Sequence, residues 1–115
     1  MDPSTRTVLE PAVARRLAGA MRAVADRGTG AGLSPSGFAI IMKTGTGAEH
    51  GRYHVNYIGA GPLPVPTVAF CVRVTHGTNS PAVTRAAREV TRRLLAALAE
   101  RVQRMRPAAG RISGN

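Results

Sequence analysis

The chain has 115 residues, with 16 Lys+Arg against 6 Asp+Glu and a formal net charge of +10. That length fits a single domain, and the 43% apolar share excludes wholesale disorder, while 3% aromatic content demands an aliphatic, alanine-rich core. One cysteine, Cys71, excludes an internal disulfide framework and a multi-cysteine zinc site, and the longest apolar run, from Phe38 to Met42, is too short to span a bilayer.

Residues 1–8 read as a flexible polar lead whose early acid and lack of an apolar segment give no export signal. Over 11–27, Val13, Leu17, Ala20, Met21 and Val24 recur at helical spacing, with Pro11 suited to the first turn and Gly28 to the stop. Residues 28–37 are a loop by composition. Three strands are expected next, over 38–44, 53–60 and 68–74. In the second, Tyr53, Val55 and Tyr57 share one face and His54, Asn56 and Ile58 the other. In the third, Val68, Phe70, Val72 and Val74 oppose Ala69, Cys71 and Arg73. The connections 45–52 and 61–66 are short and rich in Gly or Pro, as antiparallel neighbours require.

The last element is a long helix over 81–106, with Ser80 as N-cap and Pro81 in the first turn. Val83, Ala87, Val90, Leu94, Ala97, Leu98 and Val102 form its expected apolar stripe, and Arg85, Arg88, Arg92 and Arg101 a solvated band. Residues 107–115 read as a flexible tail. The order predicts an α+β fold, a small antiparallel sheet of about three strands flanked by an N-terminal and a long C-terminal helix. Two helices can cover only one sheet face. The other face and both sheet edges are therefore expected to stay open, with exposed apolar surface and self-association, as in part of a larger unit.

Of the sixteen cations, fifteen are arginine and one is lysine, Lys43. A lysine is a compact point charge that can shed its proton when desolvated, which arginine cannot do. It stands in Met42-Lys43-Thr44-Gly45-Thr46-Gly47 at the end of an expected strand. Lys-Thr-Gly-Thr on a strand resembles the third signature of the serine penicillin-recognising family, the penicillin-binding transpeptidases and β-lactamases.

The resemblance covers roughly residues 8–105. Residues 8–33 resemble the family's helix, its Gly-Thr and the loop leading to the motif strand. His54-Val-Asn-Tyr-Ile-Gly-Ala-Gly-Pro62 is similar to the next strand, commonly His-Ala-Trp-Phe-Ile-Gly-Phe-Ala-Pro. A further strand and a long helix complete the order. Asn56 and Ala60 depart from the aromatic residues usual there, and Gly47 stands where alanine is commoner. The resemblance implies a single segment, 1–115, equivalent to the C-terminal part of a transpeptidase domain.

The resemblance further implies roles for matching residues. Lys43 would supply charge to the catalytic proton network, and Thr44 and Thr46 would face the substrate strand. The Thr46 hydroxyl would bind the carboxylate of a D-alanyl peptide or β-lactam. Gly45, lacking Cβ, would let substrate approach the backbone, and the Thr46 N–H would be an oxyanion donor, a group typically worth about 3 kcal/mol in a transition state. The parent reaction is acyl transfer: a serine attacks a D-Ala-D-Ala peptide and an amine of a neighbouring stem peptide resolves the acyl-enzyme. The implied partners are a peptidoglycan stem peptide or β-lactam and an upstream half of the domain; no cofactor is implied. The family acts at the outer face of the cytoplasmic membrane, whereas a complete product without an export signal would be cytoplasmic.

The nucleophile is missing. Ser-x-x-Lys needs a lysine, and the residue three before Lys43 is Ile40. Ser113-Gly114-Asn115 matches Ser-x-Asn but follows Lys-Thr-Gly, against the family order, and is read as coincidence. A dinucleotide loop at Gly45–Gly51 fails on spacing and on the absence of a following helix. His50, His54 and His76 read as surface or turn residues rather than metal ligands, and Cys71 as a small packing residue. The net charge permits nucleic-acid binding, but no aromatic platform or recognition motif accompanies it. Absent catalysis, the alternative is a ligand-binding or interaction remnant.

Overall fold

The computed structural model describes residues 5–105. Helix α1 spans Pro11–Arg27, strands β1, β2 and β3 span Ile41–Glu49, Arg52–Gly61 and Val68–Gly77, and helix α2 spans Ser80–Arg104. The fold is α+β, with the strands in the antiparallel order β1-β2-β3. Ser113-Gly114-Asn115, Arg106 and the tail lie outside the described residues.

Strand β1 starts three residues later than the expected 38–44 and runs on to Glu49, so most of the expected loop 45–52 belongs to the ladder. Its pairing with β2 extends without a break from Ile41↔Ala60 to Glu49↔Arg52. The hairpin closes through His50 and Gly51 alone, at φ 51° and 73°. Two successive positive φ values are what a type I′ turn needs, and its twist matches that of the strands it joins. A neighbouring strand thus holds the glycine-rich stretch extended, against its own weak preference.

Period-two alternation is as the sequence predicts. Met42, Val55, Tyr57, Phe70 and Val72 are buried beneath α2, where Val83, Ala87 and Leu95 meet them, and Leu33, Phe38 and Ile40 complete the core. The α2 stripe is displaced from the expected one. Thr91 is fully buried, whereas Val90 is 50% exposed and Ala97 is exposed. The face of α2 that meets the sheet takes in Thr91 and Leu95, and the Thr91 hydroxyl is buried there without a partner. Asn79, not Ser80, is the N-cap: its side chain accepts from the Ala82 N–H at 3.0 Å.

The opposite sheet face has no layer over it among the described residues. It presents Ile41, Ile58, Ala60, Ala69 and Cys71 at one end and Lys43, His54, Asn56 and Arg73 towards the other. Ile58 is 47% exposed, and Cys71 is exposed rather than packed. Helix α1 buries none of its residues; Val24 and Ala25 lean on the core while Val13 and Leu17 stand in solvent. Among the described residues the open sheet face is uncovered, as the element order leads one to expect, whereas the exposed stripe of α1 departs from the expected covering helix.

Candidate functional site

Lys43, Thr44, Gly45 and Thr46 occupy consecutive positions of β1, an edge strand of the sheet. Because successive side chains of a strand point to opposite faces, the motif is divided. Lys43 lies on the open face, in the cross-strand row Lys43, Ile58, Cys71, with its ammonium donating to the Thr44 carbonyl. Thr44 and Thr46 lie on the α2 face, in rows with Tyr57 and Val55. A ligand resting on either face would meet the charge or the hydroxyls, but not both. Only the outer edge of β1, unpaired with any strand among the described residues, adjoins both sets. That edge also carries backbone donors and acceptors, the template on which an extended peptide adds as a strand.

On the α2 face the two threonines border a depression of about 280 Å³, lined by Thr29, Thr44, Thr46, Val55, Tyr57, Thr84 and Arg88. Thr29 Oγ1 and Thr44 Oγ1 share a hydrogen bond of 2.9 Å. Thr29 is held from the far side: Arg88 donates to its carbonyl at 2.7 Å and to that of Ala31 at 2.9 Å. The loop after α1 is therefore pinned between α2 and β1. Gly30 is buried there against Met42, whose sulfur occupies the space a Cβ would need.

Arg88 is thus a correction to the solvated band, since it spends its guanidinium on loop carbonyls 57 and 59 residues away. The other described cations of α2 fit the solvated reading better. Arg92 and Arg93 pair with Glu89, and Arg104 with Glu100. The hydrogen bonds from Arg92 and then Arg93 pull the Glu89 carboxyl below its ordinary pKa. Sequence reasoning missed Thr29 and Arg88 as neighbours of the motif. The Gly-Thr of the resemblance hints at the first, but nothing local distinguishes Arg88 from the arginines beside it.

The three histidines gather at the hairpin end of the open face. Glu49, His50, Arg52, His54, Arg73, Thr75 and His76 line a depression of about 320 Å³. No group of three or more His, Cys, Asp or Glu side chains converges to hold a metal among the described residues. No described helix is long and apolar enough to cross a membrane.

No protein-family model, curated protein or solved structure matches this chain.

Proposed function

We propose that this segment is the C-terminal part of a penicillin-binding transpeptidase-like domain, carrying its substrate strand but not its nucleophile. The observation that supports the reading best is Lys-Thr-Gly-Thr on an edge strand unpaired among the described residues, where an extended peptide can lie with Lys43 on one side and the Thr44 and Thr46 hydroxyls on the other. The substrate class is a D-alanyl-D-alanine peptide, with β-lactams as its mimics. Thr46 receives the terminal carboxylate, Gly45 leaves the strand open to a close approach, and the Thr46 N–H polarises the scissile carbonyl. Lys43 supplies positive charge beside a serine that other residues must provide, because Ser-x-x-Lys does not occur in these 115 residues. The apolar end of the open sheet face, around Ile41, Ile58 and Ala60, and the apolar stripe of α1 are where that missing part would pack. A non-catalytic remnant is the second reading, supported by the same absence.

Labelling with a fluorescent penicillin tests both. The chain alone is expected to form no covalent adduct. Mixed with an upstream half that contains Ser-x-x-Lys, it should restore a labelled serine, and Lys43→Ala in this chain should abolish the label. Labelling of the chain alone overturns the division of labour. An upstream coding sequence without Ser-x-x-Lys favours the remnant.

A further inference from the structure

The hairpin end of the open face has a chemistry that the transpeptidase reading does not use. Its depression takes Glu49 and His50 from the end of β1 and the turn, Arg52 and His54 from β2, and Arg73, Thr75 and His76 from β3. Both helices pack on the other side of the sheet, so these residues, with Lys43 and Asn56 farther along, set the charge of this face. Arg52, Arg73 and three imidazoles stand against one carboxylate, Glu49. That carboxylate is itself largely exposed, with its Oε1 3.7 Å from His50 Nε2.

Two backbone irregularities bring the basic residues together. The turn places His50 at φ 51°. In β3 the register slips between Tyr53 and Val55, so that Thr75 and His76 both oppose His54. His76 sits there at φ 64°, a left-handed conformation uncommon outside glycine. Such a bulge keeps consecutive side chains on one face and re-aims them, and a backbone held in a sparsely populated region points towards function. His54 lies across bare Gly47, where an added Cβ would run into the imidazole. His76 is oriented by a 2.8 Å hydrogen bond between Nδ1 and the Thr75 hydroxyl.

We propose that this depression binds an oxyanion, a carboxylate or phosphate group, between Arg52, His54, Arg73 and His76. The two guanidiniums supply permanent planar donors, which suit the paired oxygens of either group. The ring nitrogens of His54 and His76 stand beside them, and Glu49 at the rim opposes an anion. The inference stands apart from the transpeptidase reading, because it concerns other residues and needs no upstream half.

The test is an NMR titration of the full chain with inorganic phosphate and, separately, acetate, following the imidazole signals at pH 6, where both ions are chiefly monoanions. Saturable shifts at His54 and His76 are expected. Arg73→Gln should weaken binding about tenfold, whereas Arg104→Gln, on α2 and remote from the depression, should leave it unchanged. Tighter phosphate than acetate identifies a phosphate-bearing ligand, and equal affinities a carboxylate. Shifts that never saturate, or equal loss in Arg104→Gln, would overturn the proposal.

Discussion

Arg88 joins the C-terminal helix to the loop that supports Thr44, and its removal should be costly although the residue is only half-buried. Its two hydrogen bonds, 2.7 and 2.9 Å to the carbonyls of Thr29 and Ala31, bridge segments far apart in the chain. Hydrogen bonds from a charged donor contribute about 1.5–3 kcal/mol each. Partial solvent access and about 2 kcal/mol of side-chain ordering reduce that sum. We therefore expect Arg88→Ala to destabilise the chain by about 2 kcal/mol, and Arg88→Lys, whose single ammonium cannot span both carbonyls, by about 1 kcal/mol. Urea unfolding monitored by far-UV circular dichroism measures both; at a slope of about 2 kcal/mol per molar, the alanine midpoint should fall by about 1 M. Thr29→Val removes only the hydroxyl bond to Thr44. If the guanidinium positions Thr29, the two substitutions should couple by about 0.5 kcal/mol or more in a double-mutant cycle. Arg88→Ala within about 0.5 kcal/mol of the parent, the range of ordinary surface changes, would refute the clamp.

Thr91 is fully buried with its hydroxyl unpartnered; Thr91→Val keeps the shape and should stabilise by about 1 kcal/mol, read as a higher urea midpoint at unchanged slope. Glu89 has its pKa lowered by Arg92 and Arg93, so its contribution is present above the ordinary carboxylate range and lost as pH falls through the depressed value. The stability difference between the parent and Glu89→Gln should accordingly shrink to nothing in acid, and should shrink with added salt at neutral pH. The uncovered face around Ile41, Ile58 and Ala60 should make the isolated segment self-associate, seen by light scattering as a mass that rises with concentration; a monodisperse monomer with a cooperative melt would contradict this.

Much of the architecture was legible in the residues. Helix α1 begins and ends where Pro11 and Gly28 place it, and the alternation in β2 and β3 correctly assigns every residue from Tyr53 to Ile58 and from Val68 to Val74 to its face. These elements are legible because burial of one face imposes a period that the side chains must obey. The misreadings arose where a neighbour decided. Residues 45–49 look like a loop until β2 pairs with them, and Val90 looks like core until the sheet chooses Thr91 instead.

For the site, local sequence determined the motif, its single lysine and the absence of Ser-x-x-Lys, since these are facts of chemistry along the chain. Tertiary structure decided what the motif can reach. Strand alternation sends Lys43 to one face and Thr44 and Thr46 to the other, the hairpin order leaves their edge unpaired among the described residues, and Arg88 arrives from α2 to hold Thr29 beside Thr44. The gathering of His50, His54 and His76 was likewise decided by folding. It depends on a two-residue turn and one extra residue in β3, and a shift of one position in strand register moves every side chain to the opposite face.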